Sequence, residues 1–128
     1  MGIEDLIGKV ITKVEGLSTR EDEITFVCAD GSEYKMYHEQ DCCESVSIED
    51  ITGNPDSLIG LPVLEAYESG ESDETAPESG TWTFYHIRNN LDTITIRWYG
   101  SSNGYYSESA CFIQTVKPRE IGTGFLTP

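Results

Sequence analysis

Two segments of this chain, residues 81–88 and 91–100, alternate apolar with polar residues over almost their whole length. A period of two sends successive side chains to opposite faces, so the pattern specifies half-buried strands rather than helix. Asn89-Asn90 stands between the segments, and asparagine tolerates the positive φ that a short hairpin turn demands. A two-residue turn pairs Arg88 with Leu91, His86 with Thr93, Phe84 with Thr95 and Trp82 with Arg97. Trp82, Phe84, His86, Thr95 and Arg97 then share one face, and Thr83, Tyr85, Ile87, Ile94, Ile96 and Trp98 share the other. The second set reads as core. The first is too rich in aromatic and cationic groups for an idle solvated face, although a partner subunit could equally cover it.

The rest of the chain follows the same logic. A short helical lead-in over Ile3–Leu6 precedes a strand at Lys9–Val14, and Asp22–Ala29 forms a second strand. Asp30-Gly31 is a strong hairpin signal leading into Glu33–His38. Val46–Ile51 gives a fourth strand. Asn54-Pro55-Asp56 supplies a helix cap followed by proline at the first helical position, opening one turn that stops at Gly60. Leu61–Tyr67 reads as a strand, residues 68–80 (ESGESDETAPESG) as an acidic loop, and Ser107–Val116 as the last strand, before a loose tail at about 120–128. The expectation is one mostly β domain with short helices: a strongly bent antiparallel sheet, a half-open barrel or a small sandwich. Sheet edges invite pairing, so a homo-oligomer is expected.

Charge narrows the function classes. The 128 residues carry 23 acids against 8 Lys and Arg, a net charge of −15. Nucleic-acid binding is disfavoured, because neutralising phosphates takes clustered cations. Between Lys35 and Arg88 there are twelve acids and no Lys or Arg, whereas Arg88, Arg97, Lys117 and Arg119 face only three acids thereafter. An anionic ligand therefore meets its least hostile surface near the C-terminal strands. The acidic N-terminus lacks a long apolar run, which predicts no secretory signal, and no stretch reaches membrane-spanning length. Four cysteines without such a signal suggest reduced thiols.

The tempting metal motif is residues 37–44, YHEQDCCE, but adjacent cysteines rarely both reach one tetrahedral ion. A structural turn with buried thiols is the better reading, and no metal or cofactor is expected. A Cys–His nucleophilic pair is improbable amid so many carboxylates. Gly100–Gly104 has the small residues of a phosphate loop but lacks the lysine and helix that follow one, so it reads as a connection. No nucleophile–base–orienter set is visible, and the chain is expected not to be an enzyme. The aromatic face differs: Trp82, Phe84 and Tyr99 offer π surfaces, His86 a hydrogen bond, and Arg97 a bidentate grip on phosphate. A cation–π pair in a dimer seam explains the same residues equally well.

Two blocks, YHEQDCCE at residues 37–44 and TIRWYGSSNGYYSE at residues 95–108, resemble the phage family of Thoeris anti-defence proteins of the first type. These are small β-rich sponges for signalling nucleotides. The resemblance implies a viral protein of the host cytoplasm that binds cyclic ADP-ribose isomers without cleaving them and so keeps an immune effector off. It implies dimers or trimers of dimers with ligand sites between protomers, and in some members cyclic oligonucleotides bound at separate sites. By position it places Arg97, Trp98, Tyr99, Asn103, Tyr105 and Tyr106 in or beside the pocket and makes the first block mainly architectural. A pyrophosphate wants a second cation, for which Arg88, Arg20, Lys117 and Arg119 are the candidates. The expected site is thus Trp82, Phe84, His86, Arg88, Arg97, Tyr99, Asn103, Tyr105 and Tyr106. The alternatives are an acidic nucleic-acid mimic that blocks a DNA-binding defence enzyme, and a phage structural protein.

Overall fold

A computed structural model of the chain describes residues 2–18, 22–40 and 42–118. Among them are eight strands: β1 (Ile11–Glu15), β2 (Glu23–Cys28), β3 (Glu33–Tyr37), β4 (Ser45–Thr52), β5 (Glu65–Ser72), β6 (Ser79–Arg88), β7 (Thr93–Ser102) and β8 (Cys111–Val116). Single 3₁₀ turns occupy Ile3–Leu6 and Pro55–Leu58. The expected mostly β, antiparallel domain is present, and the described residues form no closed barrel. Its strands form two sheets of four, ordered β1-β2-β3-β8 and β4-β7-β6-β5.

Each sheet turns one face inward. Ile24, Phe26, Met36 and Phe112 from the first meet Ile48, Tyr85, Ile87, Ile94, Ile96 and Trp98 from the second in one buried cluster. Two polar contacts cross between the layers: Trp98 Nε1 donates to Met36 Sδ at 3.3 Å, and Tyr85 Oη donates to the Ala110 carbonyl at 3.1 Å. A buried indole or phenol is tolerated only when its polar tip is partnered. Burial drives the Tyr85 phenol far above its ordinary range, so it stays a neutral donor. Ile3 and Leu6 are fully buried and carry the first 3₁₀ turn into the same core.

Several boundaries differ from the sequence reading. The β6–β7 connection spans residues 89–92, so Arg88 pairs with Thr93, His86 with Thr95, Phe84 with Arg97 and Trp82 with Tyr99. That register is two residues from the expected one. Two is a full period of the strand, and every side chain keeps its face. The longer turn is organised by Asn89, whose Oδ1 accepts from the N–H of Leu91 and of Asp92. Its Nδ2 donates to the Ser57 carbonyl at 2.7 Å.

The acidic loop expected at 68–80 is mostly strand. β5 runs to Ser72, pairing with β6 as far as Thr81, and only residues 73–78 connect them. An edge strand needs backbone pairing on one side and little apolar surface, so ESGES can form one without any alternation to reveal it. Leu61–Tyr67 is correspondingly not a strand from its start; Pro62 makes an isolated bridge to Val10 and β5 begins at Glu65. The last strand begins at Cys111 rather than Ser107. The tail expected at 120–128 lies outside the described residues.

Two strands carry bulges. Pairing in β1 shifts between Ile11 and Lys13, and pairing in β4 shifts between Ile48 and Asp50, leaving Glu49 as the extra residue. The second bulge turns Asp50 to the outer face opposite Arg97 and returns Ile51 to the inner side opposite Ile96. Without it Asp50 would point into the core, at a cost of several kcal/mol for an unpaired buried carboxylate, by the usual ~3–5 kcal/mol scale.

The β2–β3 hairpin is fastened at its turn. Lys9 Nζ meets Asp30 Oδ2 at 2.5 Å, and the Ser32 hydroxyl and N–H donate to Asp30 Oδ1. The Lys9 ammonium first and the Ser32 hydroxyl second hold the Asp30 carboxyl down at about 2. A depressed folded pKa stabilises above the unfolded value, near 3.9, and that stability is lost as pH falls through the folded one. The stability difference between wild type and Asp30→Asn should therefore be full at pH 5–7 and shrink between about pH 4 and pH 2. Urea melts of both proteins across that range check it; a difference that does not change with pH refutes it.

Candidate functional site

The outer face of the second sheet carries the residues picked from the sequence. β6 contributes Trp82, Phe84, His86 and Arg88, and β7 contributes Thr95, Arg97 and Tyr99, all on the side away from the core. β5 adds Tyr67, paired with His86 and 49 % exposed. The result is an open ladder of rings along one sheet face. Tyr67 stacks on His86 with centroids 4.4 Å apart, and Phe84 lies 6.3 Å from His86 with nearly parallel planes. Trp82 and Tyr99 meet at 4.3 Å in a tilted pair.

Arg97 sits in the middle of this row. Its guanidinium carbon lies 4.9 Å from the centroid of Trp82, a cation–π geometry. Nη2 is 4.0 Å from Asp50 Oδ2, a loose ion pair at the surface. Nε is buried and has no hydrogen-bond acceptor among the described residues. An unsatisfied donor shielded from water costs about 1–3 kcal/mol. The outer end of the guanidinium, partly exposed beside flat rings, is the part an anionic oxygen can reach.

His86 is framed by two hydroxyls, Ser69 Oγ at 3.3 Å from Nε2 and Thr95 Oγ1 at 3.3 Å from Nδ1. Burial lowers its pKa, which favours the neutral ring at pH 7. Tyr99 Oη donates to Asp73 Oδ2 at 2.6 Å. This bond raises the Tyr99 pKa, while Thr75 first and Tyr99 second lower that of Asp73. The 73–78 connection is thereby tied down over Gly80, where an added Cβ would collide with the Tyr99 hydroxyl and press on Ala76 and Asp73.

Other expected residues are not in the row. Trp98, placed beside the pocket by resemblance, is fully buried between the sheets and cannot touch a ligand. Tyr105 and Tyr106 lie on the β7–β8 connection, which crosses Gly100 through Glu108 on the inner side of β7. Tyr105 is 87 % exposed there. Asn103 stands at the end of β7 and lines a separate groove. Arg88 pairs with Glu65 at 3.2 Å, four residues along β6 from Phe84 and so about 13 Å from the Arg97 rung. It cannot share one diphosphate with Arg97. Lys117 follows β8 in the other sheet, and Arg20 and Arg119 lie outside the described residues.

Within the 37–44 block, the His38 and Glu44 side chains are sealed from solvent. His38 Nε2 lies 2.7 Å from Glu44 Oε2 and Nδ1 lies 2.9 Å from the Ser109 carbonyl, with both side chains almost fully buried. Glu44 Oε1 accepts from the Cys42 N–H, and Gln40 Nε2 donates to the Glu44 carbonyl. The expectation of buried, reduced thiols fails here: Cys42 and Cys43 are exposed and joined to each other by a disulfide. Cys28 and Cys111 are free.

Sequence reasoning missed Tyr67, Asp50 and Asp73. Tyr67 closes the segment Leu61–Tyr67, whose pattern gives it no face. Asp50 had a signal, because Val46, Ile48 and Ile51 are spaced by two and then three, the mark of one extra residue in a strand. Asp73 had none.

Fold and face together define a small two-sheet β domain with an open aromatic surface that carries Arg97 and, further along β6, Arg88. Residues 4–112 match a family described as a domain of unknown function, DUF7448, and the chain belongs to that family. Comparison with curated proteins and with solved structures gives no match.

Proposed function

We propose that this protein is a non-catalytic sponge that binds a phosphorylated heterocycle on the outer face of the β4-β7-β6-β5 sheet. The ligand class suggested by the resemblance of residues 37–44 and 95–108 is the cyclic ADP-ribose isomers, with sequestration in the host cytoplasm keeping an immune effector off. One observation supports the reading: the Arg97 guanidinium, backed by Trp82, presents a partly exposed fork held only by a loose 4.0 Å pair with Asp50. The ring surface of Tyr67, Phe84 and His86 beside it suits a planar base. Stacking at about 1–3 kcal/mol per base and charge-assisted hydrogen bonds at about 1.5–3 kcal/mol each are the sources of affinity. Sequestration of a signal near ~1 μM calls for nanomolar binding, about −12 kcal/mol. Because the face is open, a second copy would have to supply the enclosing wall.

The test is to incubate the purified protein with extract containing immune nucleotides, denature it and identify what is released by mass spectrometry. An unmodified cyclic ADP-ribose isomer is the expected product. Release of a ring-opened product, or of no nucleotide, rejects the reading. A nucleic-acid mimic has one observation in its favour, the exposed Glu65, Glu68 and Glu71 along β5 beside a carboxylate-bearing turn. Salt-sensitive capture of a basic enzyme with no small molecule bound is its signature.

A further inference from the structure

The two sheets end at β1 and β8 and at β4 and β5. An edge strand carries backbone N–H and C=O groups without a ladder partner, so each margin is a template for a further strand unless something spoils it. β1 is partly taken: the N–H of Gly60 donates to the Ile11 carbonyl, and Val10 bridges Pro62. β4 is interrupted by the Glu49 bulge and carries Asp50. β5 shows solvent a row of glutamates. β8 has none of these devices over most of its length. Cys111–Val116 contains no charged residue and no proline. Its pairing with β3 is regular from Cys111 to Gln114, and the one shift falls at Thr115. Ile113 on its outward face is 38 % exposed.

We infer that β8 is the seam of a two-fold dimer, in which it pairs antiparallel with β8 of a second copy. Charge selects that occupant. The protein carries −15, so two copies repel unless the margins that meet are free of acids. Self-pairing of β5 would set its glutamates against one another, and self-pairing of β4 would do the same with Glu49 and Asp50. Residues 109–118, SACFIQTVKP, hold no acid and one base. A second copy also closes both open margins at once, as a two-fold contact does. Any other strand added to β8 would leave a fresh edge of its own.

Symmetry limits the register. Directly opposed residues of an antiparallel pair share a face, so a strand that pairs with its own copy must set one residue opposite itself. Ile113 is the outward residue nearest the middle of the regular run. Placed on the axis, it packs against its counterpart, while Phe112 faces the partner's Gln114 on the inner side. Four strands from each copy then make one continuous sheet of eight. The axis stands perpendicular to that sheet, so the two aromatic faces point the same way and neither covers the other. The seam is therefore independent of the nucleotide reading.

Sedimentation of the full chain tests it. A seam of six residues a side is small, and interfaces below about 1,200 Å² are weak. Wild type is thus expected to pass from monomer to dimer between about 1 μM and about 1 mM. Ile113→Glu should stay monomeric throughout, with an unaltered urea midpoint. Its carboxylate would stand beside Lys35 in its own sheet, but opposite a like charge across the seam. In a Cys111→Ser background, Ile113→Cys should give a covalent dimer on treatment with diamide, reversed by a thiol reductant, because residue 113 lies opposite itself. Wild type that is monomeric at every concentration, or a dimer that Ile113→Glu leaves intact, overturns the seam. So does a monomer that dimerises only once residues 119–128 are removed, which assigns the margin to the chain's own tail. Assemblies that keep growing with concentration overturn it as well, because a two-fold seam closes.

Discussion

Arg97→Ala is expected to weaken nucleotide binding by about 100-fold or more while leaving the urea midpoint within error of wild type. The loss is that of two charge-assisted hydrogen bonds to a phosphate, about 1.5–3 kcal/mol each. The fold is indifferent because the guanidinium makes only a loose pair with Asp50 at 4.0 Å, and exposed pairs contribute about 0–1 kcal/mol. Arg97→Lys keeps the charge but not the planar fork, so it should recover only part of the affinity. Trp82→Ala removes the ring that supports the guanidinium and should weaken binding by about tenfold, the lower part of the range for losing a cation–π or stacking contact. Calorimetry on the three variants decides the matter: unaltered affinity in Arg97→Ala and Trp82→Ala discards the face as a ligand site.

The largest effect on stability is expected at the sealed His38–Glu44 pair. Glu44→Ala leaves the His38 imidazole, 3 % exposed, without its carboxylate partner. Breaking one side of a buried pair costs about 3–5 kcal/mol. For a domain of this size that is a fall in Tm of about 10–20 °C. Glu44→Gln should be much milder. Its amide oxygen can still accept from the Cys42 N–H, and its NH₂ can donate to His38 Nε2, whose ring keeps its proton on Nδ1 toward the Ser109 carbonyl. Equal destabilisation by Ala and Gln, measured by thermal melts, would show that the turn depends on charge rather than on a donor–acceptor chain.

The role of this turn follows from where its parts sit. His38 follows β3 in one sheet, Glu44 precedes β4 in the other, and Ser109 precedes β8. One buried polar pair thus fixes the crossing between sheets and the return of the last strand. The sequence motif that looked like metal chemistry is a hinge pin between layers.

What the residues disclosed, and what they hid, follows from period and context. Alternation assigned the side chains of Trp82–Ile87 and Ile94–Trp98 to their correct faces, because face depends only on parity. It could not count turn residues, since Asn89 builds its turn through a side-chain cap and a bond to the distant Ser57. Asp30-Gly31 and Asn54-Pro55 carried their own local chemistry and were legible as a hairpin and a cap. β5 was hidden because a polar edge strand is held by its neighbour's backbone, not by its own composition. The placement of Tyr105 and Tyr106 was equally hidden. Which side of β7 that connection crosses is settled by the glycine gap at Gly100 and the Glu108 hydroxyl cage, neither visible in a string.

Three of the four sheet margins are guarded. β1 and β4 are kinked by an inserted residue, and β5 carries Glu65, Glu68 and Glu71. Such margins offer poor templates for adding a foreign strand, and a charge of −15 opposes non-specific association. A chain with these margins is expected to resist condensing into fibrils when concentrated.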